Sequence, residues 1–220
     1  MEYGQSAHYL AGDGAKYFAY QNAIGELGGA LNLFKFAKHI QKTDRVVDFG
    51  CGGGWLLKKI DCADKVGVEP NPAARAQCAE NGIRAVATLA EVVDKADVVI
   101  SNHCLEHVPY PIEALREVRG VLKAGGKLVL VVPIDDWRVE KSYHPDDINH
   151  HLHTWTPLLL GNTLVEAGFS VETLAVLTDA WPPRVAQLRR ALPAPLFRAA
   201  CWAWAVLRRR RQLVAVAVVA

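Results

Sequence analysis

Two carboxylates and a cluster of glycines carry the chemistry most visible in this chain. The run Val46-Val47-Asp48-Phe49 leads straight into Gly50-Cys51-Gly52-Gly53-Gly54, and Trp55 to Ile60 then has helical character. A strand that ends in glycines and reopens as a helix lets the backbone approach a ligand more closely than side chains would permit. A second acid, Glu69, closes the next apolar run 19 residues after Gly50, the spacing at which a carboxylate grips ribose hydroxyls. Together these features predict a bound nucleoside. A dinucleotide fingerprint would require a third glycine at position 55, where Trp55 stands. That departure weighs against a nicotinamide-dependent oxidoreductase, which is the alternative enzyme class.

The order Asp-x-Gly-x-Gly-x-Gly resembles the first motif of the class I S-adenosylmethionine-dependent methyltransferases. Asp48 makes physical sense there, because a ligand presenting an ammonium and a sulfonium attracts a carboxylate where a pyrophosphate would be repelled by it. The segment Asp97 to Val108, with its Leu105-Glu106-His107-Val108 ending, is similar to the family's fourth motif, and Leu122 to Leu128 to its turn into the fifth strand. The likeness covers roughly residues 44–169. It implies a Rossmann-like methyltransferase fold that binds S-adenosylmethionine and releases S-adenosylhomocysteine. By the same resemblance Asp48, Gly50 and Gly52 hold the methionine end with Cys51 beside them. Glu69 with Pro70 takes the ribose, Thr88 and Leu89 the adenine, and Asn102 and His103 border the methionine. Thr88 stands where the family often has an acid beside the adenine.

Methyl transfer needs in-line alignment and exclusion of water, and a base only if the acceptor has a proton to lose. Four of the eight histidines, His144, His150, His151 and His153, fall in one ten-residue stretch after the fifth apolar run. Three readings compete for them: a divalent metal with Asp146 and Asp147, a structural role capping the Thr156 helix, or acceptor binding and general base catalysis. The spacing matches no tight metal template, so no metal is expected. For the base the order is His151, then His150, then His107, the last of which could instead order the loop beside the cofactor. A non-catalytic nucleoside-binding scaffold would keep the Asp48 and Glu69 grip without a working acceptor pocket.

The elements that must position these groups are an α/β pattern, with short apolar β-branched runs alternating with helices in the manner of a doubly wound, mostly parallel sheet. Strands are expected at Arg45–Phe49, Lys65–Glu69, Arg84–Ala87, Asp97–Ser101, Lys127–Pro133, Ser170–Thr178 and Gln212–Val219, giving seven. Asn71-Pro72 opens a helix stopped by Gly82, and Thr156-Pro157 opens another stopped by Gly168. Pro111 opens a third, expected to end before Gly125-Gly126. The whole chain, 1–220, reads as one domain: a helical cap over 1–44, a core over 45–178, and a basic helical insertion with the last strand over 179–220. Tyr17, Phe18 and Gln21 in the cap could close over the cofactor or simply pack.

The 220 residues are 51% hydrophobic with a net charge of +2, which excludes a disordered segment. Five cysteines without a C-x-x-C pair predict neither a disulfide framework nor a zinc knuckle, so a reducing cytoplasm is expected. Residues 1–30 carry Glu2, Asp13 and Glu26 and no unbroken apolar run, which reads as neither leader nor anchor. From Trp181 to Gln212 there are eight arginines and no acid, leaving 17 basic residues against 23 acidic ones elsewhere. That tail is either a solvated helix face or a contact for a phosphate-bearing substrate or an anionic membrane surface, with Trp202 and Trp204 at the headgroup level. No nucleic-acid partner is expected, since the basic surface is confined to one segment. The acceptor is expected to be a small-molecule or glycan hydroxyl, with a quinone-type or other lipid acceptor as the open alternative.

Overall fold

A computed structural model describes residues 6–10, 12–139 and 141–220 of the chain. Part of the leader argument rests on residues 1–5, outside the described residues. Helices α1 (Gly12–Asn22) and α2 (Gly25–Asn32) form the cap, and β1 (Arg45–Phe49), α3 (Trp55–Lys59), β2 (Asp64–Val68), α4 (Pro72–Glu80), β3 (Ala85–Val86) and β4 (Ala96–Asn102) follow. Then come α5 (Pro111–Val121), β5 (Leu122–Ile134), α6 (Pro157–Glu166), β6 (Phe169–Leu177), α7 (Val185–Ala191), α8 (Ala194–Arg208) and β7 (Arg211–Val219). All seven expected strands are present in one sheet of order β3-β2-β1-β4-β5-β7-β6, with β7 antiparallel to both neighbours.

The helix starts follow from local chemistry. Asn71 Oδ1 accepts from Ala73 N ahead of Pro72, and Thr156 Oγ1 accepts from Leu159 N ahead of Pro157, each satisfying a donor that the first turn leaves orphaned. Helix α5 stops before Gly125 and Gly126 as expected, but the fifth strand begins at Leu122, ahead of the expected Lys127. Helix α5 ends at Val121, and Leu122 already pairs with Ala96 before a register shift leads into the Val98–Lys127 pairing. Gly125 and Gly126 therefore lie inside an irregular strand. Glu69 falls one residue beyond β2, which frees its side chain from the sheet's alternation.

Buried residues form one cluster on each side of the sheet. One includes Val47, Val99, Leu128, Leu130, Leu160 and Leu213, and the other Val46, Leu57, Ile60, Val98, Ile100 and Val129. A third, smaller cluster joins α2 to the tail helices through Leu31, Val185, Phe197 and Cys201. The arginine-rich tail is thus docked on the cap by its apolar side.

The cap is fastened to the glycine turn through Trp55. Its indole Nε1 donates to Asn22 Oδ1 at 2.6 Å, and α2 crosses so close that a Cβ on Gly29 would stand 2.5 Å from the Trp55 carbonyl. The residue that breaks the dinucleotide fingerprint is a structural clamp. Gly29→Ala should therefore destabilise the fold by about 1–3 kcal/mol, the usual range for overpacking. Gly120→Ala, whose Cβ would meet nothing within 4 Å in α5, should instead stabilise it by about 0.5–1 kcal/mol. Denaturant unfolding of the two variants checks the opposite signs.

Candidate active site

In a parallel sheet every strand's carboxyl end lies on the same edge, and a crevice opens where neighbouring crossovers leave in opposite directions. Here that point lies between β1 and β4, with Gly50 at its floor. Gly50 has φ +80°, and a Cβ there would be 2.3 Å from Cys104 Sγ, so both backbone and packing demand glycine. Gly52, at φ +52°, has nothing within 4 Å of its Cβ position among the described residues, which leaves its backbone open to a guest. Above this floor is a cavity of about 1320 Å³.

Asp48, Gly50, Cys51, Gly52, Glu69 and Pro70 line the cavity on one side, and Thr88, Leu89, Asn102 and His103 also reach it. Asp48 is only 2% exposed. Burial, with the Glu69 charge in support, pushes its carboxyl up to about 8, so near neutral pH it holds a proton. Glu69 accepts from Gly52 N at 3.0 Å and Asn71 N at 2.9 Å. Burial raises it too, against the pull of those two amides and of Arg75. Asn102 Oδ1 is buried with no hydrogen-bond partner among the described residues. Thr88 is tied up in a capping box with Glu91, which takes both its hydroxyl and its backbone N–H.

Across the cavity, Tyr17, Phe18 and Gln21 line the cap side together with Tyr9. Tyr9 OH lies 2.7 Å from His107 Nδ1 and 2.5 Å from Asn149 O. One hydroxyl proton serves only one of these, and the carbonyl can only accept, so His107 donates from Nδ1. Burial pulls His107 down to about 4, helped by His151 and His103 against Glu106. It is a neutral ring committed to the cap contact. Tyr17 OH, 3.5 Å from His107 Nε2, completes that arrangement, which holds the loop and cap together.

His151 lies differently. Its Nδ1 is 2.8 Å from Asp135 Oδ2, and both residues line the cavity. Burial pulls the imidazole down, but the Asp135 hydrogen bond and charge outweigh it and the net shift is upward. With Nδ1–H on the carboxylate, Nε2 keeps its lone pair. His150, the second candidate, is not brought to the cavity wall. It is exposed at φ +50° and its ring stacks on His8 at 4.6 Å. His153 is used by Val108 O at 3.0 Å, and Asp147 caps the loop through Asn149 N and His150 N. Asp147 and these histidines thus have structural partners. Glu106, His107 and His151 do offer ligand atoms within 4.8 Å of one another, a set able to hold a divalent cation. Asp135, Tyr9 and Lys35 escaped the sequence reading, although Asp135 stands one residue past β5, at the carboxyl edge where ligands bind.

Comparison with known proteins now decides the family: residues 22–174 match the methyltransferase domain model. The chain belongs to the class I S-adenosylmethionine-dependent methyltransferases. This methyltransferase is 30% identical over 99 residues to the ubiquinone biosynthesis O-methyltransferase of Aeromonas salmonicida (strain A449), a match covering 39% of this chain and 42% of that enzyme. The aligned part spans less than half the length of the curated relatives it matches. A S-adenosylmethionine-dependent methyltransferase from Archaeoglobus fulgidus superposes with TM-score 0.65 at 19% identity, over 92% of this chain and 99% of that one. The [4+2]-cyclase SpnF gives TM-score 0.60 at 18% identity, over 87% and 81%. At those identities the likeness shows the fold alone.

The residues present fit S-adenosylmethionine. A buried carboxyl and an amide oxygen unpartnered among the described residues suit an ammonium group, the open backbone at Gly52 permits close approach, and the Glu69 carboxylate on the cavity wall can accept from hydroxyls. No helix among the described residues is long and apolar enough to cross a membrane.

The raised Asp48 has a testable consequence. The unfolded carboxyl loses its proton near 3.8 and the folded one near 8, so its contribution to stability declines as pH rises between those values. Asp48→Asn should remove that decline, so that the variant gains melting temperature relative to the parent from pH 5 to pH 8. The same substitution should abolish S-adenosylhomocysteine binding. In the parent, affinity should weaken on acidification below about pH 8, because a proton must leave before the cation is paired. Calorimetry across that range, with proton release read from buffers of different ionisation enthalpy, checks the direction.

Proposed function

We propose that this methyltransferase methylates a hydroxyl group of a small-molecule or glycan acceptor, with His151 as general base. The observation that carries the reading is the His151–Asp135 pair at 2.8 Å on the cavity wall, reached by the loop that leaves the carboxyl end of β5. S-adenosylmethionine, when bound, supplies a methyl group already activated by its sulfonium. Asp48, Gly50, Gly52 and Asn102 orient the methionine end, with Cys51 and His103 beside them. Glu69 and Pro70 position the ribose, and Thr88 and Leu89 border the adenine.

His151 Nε2 would take the acceptor's hydroxyl proton as the hydroxyl oxygen accepts the methyl group that the cofactor would supply, with the cofactor departing as its uncharged thioether. Asp135 holds the imidazole in the tautomer with Nδ1–H and steadies the imidazolium that forms. Tyr9, Tyr17 and His107 close the cap side against water, since burial keeps both phenols and the His107 ring neutral. His107 is thus a positioning residue. The O-methyltransferase named among the relatives supports an oxygen acceptor.

His151→Asn should lower kcat by about 10²- to 10⁴-fold, the usual contribution of a general base, with S-adenosylhomocysteine affinity unchanged. Asp135→Asn removes the carboxylate that raises His151, so the acidic limb of the pH–rate profile should move to lower pH. Release of S-adenosylhomocysteine is measured with a panel of phenols and sugars beside a panel of primary amines. Turnover confined to amines, or full activity in His151→Asn, would overturn the hydroxyl reading.

A further inference from the structure

The cavity has opposite charge at its two ends. Toward β1 and β2 stand the carboxyls Asp48 and Glu69, whereas toward β7 and α8 stand Lys35, Arg208 and Arg211. Lys35 ends the 3₁₀ turn after α2 and is 4% exposed, although burying an ammonium is costly unless it is paired. Its hydrogen bond goes to a neutral group, Gln212 Oε1 at 2.6 Å, and the same oxygen lies 3.1 Å from His103 Nε2. The other side of that amide is spent on Asp179 O at 2.8 Å. An ammonium has three donors, so two remain for a guest among the described residues. Burial pulls Lys35 down to about 8, with Asp179 holding it up and Arg198 pressing it down.

Two carboxylates share this end of the cavity, and each has a partner of its own. Asp179 Oδ1 lies 3.8 Å from an Arg198 nitrogen, and Asp135 pairs with His151. Arg208 rests over the Trp204 ring at 5.6 Å, and among the described residues neither it nor Arg211 has a carboxylate partner. Position follows from the sheet: Gln212 pairs with Pro133 and Arg211 with Ile134, the residue before Asp135. Arg211 therefore stands at the strand end that leads to Asp135, the partner of the proposed base.

Lys35, Arg208 and Arg211 line this end of the cavity, with Arg210 next to them in the chain, and a single carboxylate would offset only one of these charges. A phosphate group brings nearly two negative charges and three strong acceptor oxygens, which suit a lysine point charge and arginine forks together. We propose that this end of the cavity is a phosphate-binding subsite, with Lys35 at its floor and Arg208 and Arg211 at its rim, and that the hydroxyl acceptor carries a phosphate. The inference rests on the methyl-transfer reading of the same cavity. Phosphate of this kind occurs on soluble metabolites and on lipid headgroups, and the exposed Trp202, Val206 and Leu207 of α8 flank the arginines at the mouth.

The test uses the full chain saturated with S-adenosylhomocysteine. Inorganic phosphate is titrated by calorimetry, and a parallel sample is sedimented with phosphatidylcholine vesicles containing phosphatidic acid. Lys35→Gln and the double variant Arg208→Ala/Arg211→Ala should each weaken phosphate by about tenfold or more, as expected for lost charge-assisted hydrogen bonds. Lys38→Gln, an exposed lysine that does not line the cavity, should change it less than about twofold, the level of general charge screening. S-adenosylhomocysteine affinity should hold in all of them. Sedimentation lost in Lys35→Gln assigns the phosphate to a lipid headgroup, and phosphate binding without sedimentation assigns it to a soluble acceptor; either outcome supports the subsite. Cofactor binding with no phosphate binding, or with phosphate affinity equal in parent and both cavity variants, overturns the subsite alone. Absence of S-adenosylhomocysteine binding overturns the methyl-transfer reading, and this inference with it.

Discussion

A carboxyl buried beside a glycine that nothing else can replace is the constraint on which the molecule turns. Asp48 sits in register with Gly67 on β2 and Ile100 on β4, walled in by the central strands. Ser101 Oγ ties β4 to the end of β1 through Phe49 O at 2.9 Å. Desolvating an acid without a cation is unfavourable, and the fold tolerates it because the apolar clusters on both faces of the sheet outweigh the cost. A cationic guest would relieve that tension, which is why a buried acid suits an ammonium group. Rigid parallel strands around Asp48 keep the acid from moving out to water instead.

From that point the rest of the architecture can be read outward. Trp55 fixes the cap through Asn22, and Gly29 allows α2 to lie against the glycine turn. Because α2 and the tail helices share the cluster of Leu31, Val185, Phe197 and Cys201, the tail braces the helix whose exit carries Lys35. Gln212, at the start of β7, receives both Lys35 and His103. His103 holds φ +55°, a backbone state that only a well-determined surrounding maintains. Cap, tail and motif loop are thus cross-linked at the same end of the cavity.

The strands were legible because β-branched runs bounded by asparagine–proline and glycine signals leave little choice, and β1 matches its expected bounds. The fifth strand was less so: Gly125 and Gly126 look like a helix stop, and only pairing across to Ala96 reveals that the chain has already joined the sheet. The glycine turn and its two acids could be read as a cofactor site because they are contiguous in one βαβ unit. His151 was legible as a residue type but not in its setting, which comes from Asp135, 16 residues earlier. Its neighbour His150 faces another way, as a loop with no repeating geometry permits. Lys35 gave no local signal at all, because its meaning lies in Gln212, 177 residues away.

The division of labour between the acids follows from where charge moves during methyl transfer. On the reading proposed above, the reactants hold their positive charge at the sulfonium, and the products hold it at His151. On that reading Asp48 and Glu69 hold groups that do not change during the reaction, so what they add to binding is the same for reactant, transition state and product and does not by itself lower the barrier. Asp135 stands against the ring that acquires the charge, so its interaction strengthens as the proton arrives. A preorganised carboxylate at the receiving end is the kind of group that stabilises a transition state more than a ground state. That places the catalytic weight of the cavity wall on a residue outside the sequence motifs, at the carboxyl end of β5, where the sheet delivers it to the base.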